Sequence, residues 1–143
     1  MEEKFLCCDS CGNMVLMLND SGVEPECCGE VMTLLEAKTV DMGREKHLPV
    51  VAPLSNHEIK VTVGEQPHPM VANHLIEFVC LQTTDGIVVR KLSAGNPPEA
   101  VFRFTGVPLA VYAYCNVHGL WKAEFKNICQ GKETECKLIS HKE

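Results

Sequence analysis

The stretch Glu58–Val63 has the sequence EIKVTV, in which isoleucine or valine occupies every second position and charged or polar residues lie between them. This alternation is typical of a β-strand that buries one face and exposes the other. The sequence after residue 48 predicts further short strands and shows no convincing amphipathic helix. Short strands at this spacing favour an all-β fold built as an antiparallel β-sandwich.

The next strand carries Ile76, Phe78 and Cys80 at every second position, so these side chains are expected to share one face. Cys80 is then a buried structural thiol. The dipeptide Asp85-Gly86 follows as a strong hairpin signal. Additional strands are expected around Ala100–Phe104, Leu109–Tyr114 and Trp121–Phe125.

The composition limits the class of protein. A chain of 143 residues can hold one ordinary domain, or a medium domain with a small appendage. No apolar run approaches the length of a membrane span, and the first residues lack the basic and apolar regions of a secretory signal. We therefore expect a cytoplasmic protein with no membrane partner. The net charge of −6 and the absence of a basic run argue against nucleic acid as a partner.

The nine cysteines are unevenly distributed, whereas every histidine lies beyond residue 46. In a reducing cytosol, clustered cysteines are more often metal ligands than disulfides, and an odd total argues against a closed disulfide framework. A unit of roughly 36 residues needs a metal or another staple to fold. We expect such a domain over residues 1–36, with a linker at Ala37–Arg44. Five cysteines lie in the first 28 residues: Cys7, Cys8, Cys11, Cys27 and Cys28.

Two pairs of these cysteines form a candidate metal site. Cys8 and Cys11 lie in a Cys-x-x-Cys loop closed by glycine, which is a common metal-binding knuckle. Cys27 and Cys28 are adjacent, so both thiolates can reach one metal only at a sharp bend, which Gly29 can provide. Four thiolates imply a tetrahedral site, and ligand identity alone leaves zinc and iron open.

A second candidate site combines imidazole and thiolate ligands. Such a mixed nitrogen and sulfur set suits a redox-active transition metal. Each histidine taken alone would more often be a surface residue, so the interpretation depends on the set as a whole. Pro67 and Pro69 restrict the backbone on both sides of one of the histidines. The five residues are His47, His68, His74, Cys115 and His118.

The last two of these residues are three positions apart. In an extended strand, Cys115 and His118 would face opposite ways, so they can share one metal only across a turn. Asn116 and Gly119 favour such a turn.

The combination of both candidate sites resembles a known family, desulfoferrodoxin, the two-iron superoxide reductase. The resemblance extends from about residue 5 to residue 125. The motifs that carry it are Cys8-x-x-Cys11, Cys27-Cys28, Glu45-Lys46-His47, His68-Pro69-Met70, His74 and Cys115-Asn116-x-His118-Gly119.

This resemblance implies two domains and a C-terminal extension. Residues 1–36 would form a rubredoxin- or desulforedoxin-like domain whose iron is held by Cys8, Cys11, Cys27 and Cys28. Residues 37–126 would form an immunoglobulin-like β-sandwich with the catalytic iron, and residues 127–143 an extension without an assigned role. The catalytic iron would have His47, His68, His74 and His118 in one plane and Cys115 on the axis.

The implied activity is the one-electron reduction of superoxide to hydrogen peroxide at a solvent-exposed ferrous centre. Lys46 would attract the anion and help to supply protons, and Glu45 would occupy the open position of the oxidised iron. At roughly 6 Å from a bound anion and an effective dielectric of about 20–40, the charge of Lys46 adds about 1–3 kcal/mol of attraction. Screening acts within about 8 Å, so this local charge outweighs the negative net charge.

The implied partners are superoxide as substrate, rubredoxin or a similar small protein as electron donor, and a second copy of the chain in a homodimer that involves the small domain. Three other functions stay open from the residues alone. The chain could be an electron carrier that works through the four-thiolate iron, a superoxide dismutase that needs no donor, or a zinc-stabilised binding module.

Overall fold

The structure is a computed structural model that describes residues 3–39 and 47–128. The chain divides into two compact units, Met1–Glu36 and Ala37–Glu143. Glu45 and Lys46, the two predicted catalytic residues, lie outside the described residues, as does the C-terminal extension beyond residue 128. Among the described ranges, no helix combines the length and the apolar character that crossing a membrane requires.

The first unit is built from short antiparallel strands around a very small core. Its buried apolar cluster consists of Leu6, Cys8 and Met32, with Met17 and Cys27 packed against it. So little buried surface cannot hold a unit of this size together without a further constraint. One sheet has the order β2-β1-β5 and the other pairs β3 with β4. The strands are β1 (Lys4–Cys7), β2 (Met14–Met17), β3 (Glu26–Cys27), β4 (Glu30–Val31) and β5 (Thr33–Leu34).

The second unit is a β-sandwich of two antiparallel sheets. One sheet has the order β10-β7-β6 and the other the order β12-β11-β8-β9, which is the three-plus-four division of immunoglobulin-like sandwiches. A single helical turn, α1 (Phe125–Ile128), follows the last strand. The all-β prediction is therefore confirmed. The strands are β6 (Pro49–Ser55), β7 (Glu58–Val63), β8 (Ile76–Thr83), β9 (Gly86–Lys91), β10 (Glu99–Arg103), β11 (Pro108–Cys115) and β12 (Gly119–Glu124).

The core between the two sheets follows the alternation of the EIKVTV stretch. Ile59, Val61 and Val63 of β7 are fully buried, while the residues between them are partly exposed. They pack in one cluster with Phe102 of β10 and Val111 of β11, among others. The side chains of the two inner faces thus interdigitate as expected for aligned sheets.

One expectation for β8 is wrong. Ile76 belongs to the core cluster, but the core residues after it are Val79 and Leu81 rather than Phe78 and Cys80. The register explains the change, because Tyr114 pairs with Phe78 whereas the next residue of β11, Cys115, pairs with Ile76. Glu77 is therefore an extra residue, a β-bulge, and it reverses the faces of the strand around it. Cys80 is buried, as expected for a structural thiol.

The predicted linker begins with an ordered residue. Lys38 forms a parallel β-bridge with Trp121 of β12. The backbone N–H of Lys38 donates to the carbonyl of Leu120, and the N–H of Lys122 donates to the carbonyl of Lys38, each at 2.9 Å. Lys38 is thus fixed to the sandwich.

Replacing a core side chain should test the packing between the sheets. Phe102→Ala removes a fully buried ring, and the cavity that it leaves should lower the free energy of unfolding by about 3–5 kcal/mol. The matched control is Val101→Ala, because Val101 is the preceding residue of β10 and is 48% exposed. Urea denaturation followed by the fluorescence of the single tryptophan measures both variants. Equal losses in the two variants would contradict the sandwich core.

Candidate metal centres

The four cysteines of the first unit converge on one point. The sulfur atoms of Cys8, Cys11, Cys27 and Cys28 all lie within 4.8 Å of one another. The Sγ atoms of Cys11 and Cys27 are 3.7 Å apart, and those of Cys27 and Cys28 are 4.0 Å apart. Cys8 is buried, while Cys11 and Cys28 are exposed, so the group lies at the surface of its unit.

The bend between the adjacent cysteines involves two residues rather than one. Strands β3 and β4 are joined by Cys28 and Gly29, which have φ angles of 56° and 79°. Two consecutive positive φ angles match a two-residue hairpin turn of the kind that favours Asn-Gly or Gly-Gly. The sequence assigned the bend to Gly29 alone, but Cys28 itself adopts the left-handed conformation that non-glycine residues rarely adopt. This turn brings both sulfur atoms to the same side.

The pKa values of these thiols show how much negative charge the group tolerates. The backbone N–H of Cys11 donates to the sulfur of Cys8 at 3.5 Å, and this lowers the pKa of Cys8 to about 7. The nearby Cys11 and Cys8 thiols, followed by Cys27, raise the pKa of Cys28 to about 12. Without a cation, a second and third negative charge are therefore unfavourable. A bound metal cation would compensate all four thiolates, which fits a tetrahedral thiolate site.

The second group lies at one end of the sandwich, where several strands begin or end. Pro49 at the start of β6 pairs with Val63 at the end of β7, so the segments that carry His47 and His68 leave the sheet together. In the other sheet Cys115, the last residue of β11, pairs with Ile76, two residues after His74. The turn from β11 to β12 carries His118. The antiparallel topology thus gathers the predicted ligands.

The four imidazoles form a closed ring of neighbours. Their successive centroid distances are 5.0 Å from His47 to His68, 4.8 Å from His68 to His74, 5.2 Å from His74 to His118 and 4.7 Å from His118 to His47. The ligand atoms of His47, His74, Cys115 and His118 lie within 4.8 Å of one another. His68 falls outside that limit but occupies the fourth place in the ring. The Sγ of Cys115 is 3.8 Å from Nδ1 of His118.

The hydrogen bonding of the histidines tests whether a metal fits. Nδ1 of His68 donates to the carbonyl of Pro69 at 2.8 Å, which leaves its Nε2 as a lone-pair acceptor. Burial lowers the pKa of His68 to about 4, so the ring is neutral at pH 7. Nε2 of His68 and Nε2 of His74 are both buried and have no hydrogen-bond partner among the described residues. Neutral, buried and unpartnered imidazole nitrogens are what a metal site requires.

The same group has a closed side and an open side. The thiol of Cys115 is fully buried, and the imidazoles of His47 and His68 are 9% and 3% exposed. His118, in contrast, is exposed and His74 is half-buried. The ring is therefore exposed to solvent on the side of His74 and His118.

Asn116 joins the two loops that carry ligands on this open side. Its Oδ1 accepts from the backbone N–H of Leu75 at 2.9 Å, and its Nδ2 donates to the carbonyl of Asn73 at 3.2 Å. Its own N–H donates to the carbonyl of Leu75 at 3.2 Å. The sequence assigned Asn116 only a preference for turns. Its side chain in fact binds the residues on both sides of His74, and Asn116 itself directly follows Cys115.

Two further contacts hold residues of the second group in place. Trp121 stacks on His47, with centroids 4.6 Å apart and an interplanar angle of 12°. The backbone N–H of His118 donates to the sulfur of Cys115 at 3.4 Å. An N–H donor of this kind stabilises a thiolate. Trp121 therefore packs directly against His47.

Comparison with known proteins shows which family carries these two groups. The family model described as desulfoferrodoxin matches residues 39–124, which is more than half of the chain. The chain belongs to the desulfoferrodoxin family. It is 43% identical over 117 residues to a desulfoferrodoxin of Syntrophotalea carbinolica, covering 82% of this chain and 92% of that protein. A desulfoferrodoxin of Nitratidesulfovibrio vulgaris is also 43% identical, over 118 residues, with the same coverage.

A solved structure is similar over nearly the same length. The crystal structure of the superoxide reductase from Treponema pallidum has a TM-score of 0.74 and 36% sequence identity. The match covers 86% of this chain and 98% of that one. Desulfoferrodoxins bind two iron ions, and this chain has the two corresponding groups, one of four cysteines and one of four histidines with a cysteine. Both sets of donors fit iron by their chemistry.

The turn at Gly29 should control how well the first site keeps its metal. Gly29→Ala forces a side chain into the left-handed conformation, which costs about 1–2 kcal/mol. Gly29→Asn is the matched control, because asparagine adopts this conformation more readily. Release of the metal in increasing guanidinium, followed by the thiolate absorption bands, should occur earlier for the alanine variant. If the asparagine variant loses its metal as early, the turn is not the cause.

The amide of Asn116 should control the affinity of the second site. Asn116→Ala removes both side-chain hydrogen bonds to the His74 loop, and the affinity for iron should fall about 10- to 100-fold. Competition with a chelator, followed by the absorption of this centre, gives the measurement. Asn56→Ala is the control, because Asn56 is exposed in the turn between β6 and β7. An unchanged affinity in the Asn116 variant would show that the amide does not position the ligands.

Proposed function

We propose that this protein is a superoxide reductase. The observation that carries the proposal is the ring of four imidazoles with a buried thiol and one exposed side. The reaction consumes one superoxide, one electron and two protons, and it releases one hydrogen peroxide. The similarity to the superoxide reductase from Treponema pallidum over most of both chains supports the same activity.

The ligand assignment is part of this proposal. The first iron is held by Cys8, Cys11, Cys27 and Cys28. The second is held by His47, His68, His74 and His118 with Cys115 as the sulfur ligand. Support comes from the convergence of these donors and from the two buried imidazole nitrogens that have no partner among the described residues.

The protein residues prepare the second site for a small anion. Imidazoles that bind a metal are neutral, so with a ferrous ion and one thiolate the centre would carry about one net positive charge. The N–H of His118 stabilises the Cys115 thiolate, and the stacked Trp121 keeps His47 in its place. The bound iron supplies the electron that reduces superoxide. The exposed side at His74 and His118 admits the substrate and the protons from solvent.

Glu45 and Lys46 keep the catalytic roles that the family resemblance implies. Lys46 would attract superoxide and provide a proton, and the Glu45 carboxylate would serve as a further ligand of the oxidised iron. Both residues directly precede His47 in the sequence, and the motif Glu45-Lys46-His47 is one of those that carry the family resemblance.

Four further assignments complete the proposal. Residues 1–36 form the four-cysteine domain, residues 37–126 the catalytic domain, and residues 127–143 an extension. A rubredoxin or similar small protein returns the electron after each turnover. The location is the cytoplasm, where a reducing environment disfavours disulfides, and the cysteines among the described residues form no disulfide.

After the domains, the electron donor and the location, the fourth assignment is a homodimer in which the first unit takes part in the contact. This small unit exposes several large aliphatic side chains, and such side chains support a contact surface. Their exposed fractions are 40% for Val15, 83% for Leu18, 75% for Val23, 50% for Val31 and 50% for Leu34.

One alternative function has an observation in its favour. The four-cysteine group would equally serve an electron carrier without catalysis. In that case the first iron would be the working centre and the histidine ring would be dispensable.

Pulse-generated superoxide distinguishes these functions. The reduced protein should be oxidised with one superoxide consumed and one peroxide formed per histidine-ligated iron. Sustained release of oxygen without a donor would instead indicate a dismutase. Cys115→Ser should abolish the reaction, while the control Cys80→Ser changes a buried thiol outside the ring and should leave it intact. A pure carrier would keep its electron transfer in both variants and show no reaction with superoxide.

A further inference from the structure

Lys38 is an exposed cation whose backbone is fixed beside the histidine ring. Its N–H donates to Leu120 and its carbonyl accepts from Lys122, which clamps the residue on both sides of Trp121. Lysine side chains usually move freely in solvent. Here the clamped backbone determines where the side chain starts.

The side chain of Lys38 makes two contacts beside the second metal centre, one with the backbone of His118 and one with the ring of Trp121. Its Nζ donates to the backbone carbonyl of His118 at 2.7 Å. The same Nζ lies over the ring of Trp121, 5.0 Å from its centroid. Trp121 in turn stacks on His47. One ammonium group is therefore connected to two of the four histidines of the ring, and one of these, His118, lies on the open side.

We propose that Lys38 supplies a fixed positive charge at the open side of the histidine ring, which draws small anions to the centre. The proposal rests on the proposed function, since superoxide is the anion concerned. Lys38 acts in addition to Lys46. It lies at the start of the predicted linker, where no motif indicated a role.

The geometry favours an electrostatic role over an ordinary solvated lysine. A charge several ångströms from a bound anion, near the protein surface, raises its local concentration about threefold to tenfold. Screening weakens the effect over about 8 Å at physiological salt, so a cation next to the ring exerts it most strongly. A hydrogen bond and a cation–π contact together limit the motion of the ammonium group, and this keeps the charge in place.

Azide binding to the oxidised protein tests the proposal with a stable anion. Lys38→Met should weaken azide binding about threefold to tenfold at low ionic strength. The difference should shrink as salt is added. Lys38→Arg keeps the charge and should retain most of the affinity. Lys60→Met is the matched control, because it removes one positive charge from the middle of β7, where Lys60 pairs with Glu99 at 3.2 Å.

An uncharged ligand separates the electrostatic effect from a structural one. Nitric oxide binding to the reduced protein should be the same in wild type and Lys38→Met, because a neutral ligand does not respond to the charge. Equal losses for azide and nitric oxide, or a loss that persists at high salt, would overturn the proposal and leave Lys38 as a packing residue. An equal loss in Lys60→Met would overturn it as well.

The rate of reaction with superoxide provides the link to function. The rate constant of Lys38→Met should fall by the same factor as its azide affinity and with the same salt dependence. If wild type failed to react with superoxide, the proposed function would fall, and the azide comparison would still decide whether Lys38 attracts anions. If wild type reacted and Lys38→Met reacted equally fast at low salt, the role of Lys38 would be rejected alone.

Discussion

The buried Nε2 atoms of His68 and His74 have no hydrogen-bond partner among the described residues, and the second unit depends on how that deficit is met. An unpaired buried polar atom costs about 1–3 kcal/mol. The topology nevertheless holds these nitrogens in one ring with His47 and His118. A metal ion that accepts their lone pairs removes the deficit. Metal binding and the stability of this end of the sandwich are therefore linked.

The first unit reaches the same dependence on metal by another route. Its core cluster is small, so burial contributes little, and its metal group consists of thiols that resist a shared negative charge. The strained turn at Cys28 adds to this cost. A bound cation neutralises the thiolates, and the energy of binding offsets the cost of the strained turn. In the second unit the sandwich has a large core of its own, so only the end that carries the histidine ring depends on the metal.

Local patterns in the sequence predicted much of the fold and most of the candidate site. The alternation in EIKVTV indicated the core face of β7, and the cysteine and histidine motifs indicated which residues converge. What escaped prediction depends on pairing between distant residues. The bulge at Glu77 is visible only in the register with β11, and the position of Lys38 only in its bridge to Trp121, more than eighty residues away. The positive φ of Cys28 follows from a hairpin length that the sequence left open.

The bulge at Glu77 also makes the strand sensitive to whether its length changes by an odd or an even number of residues. His74 stands on one side of the extra residue, and the core residues Val79 and Leu81 stand on the other. Removing or adding a single residue within β8 between Ile76 and Val79 would turn the side chains on one side of the change to the opposite face. Losing or gaining two residues there would keep each side chain on its face and alter only the length of the strand. Natural length variation in this segment should therefore come in even steps.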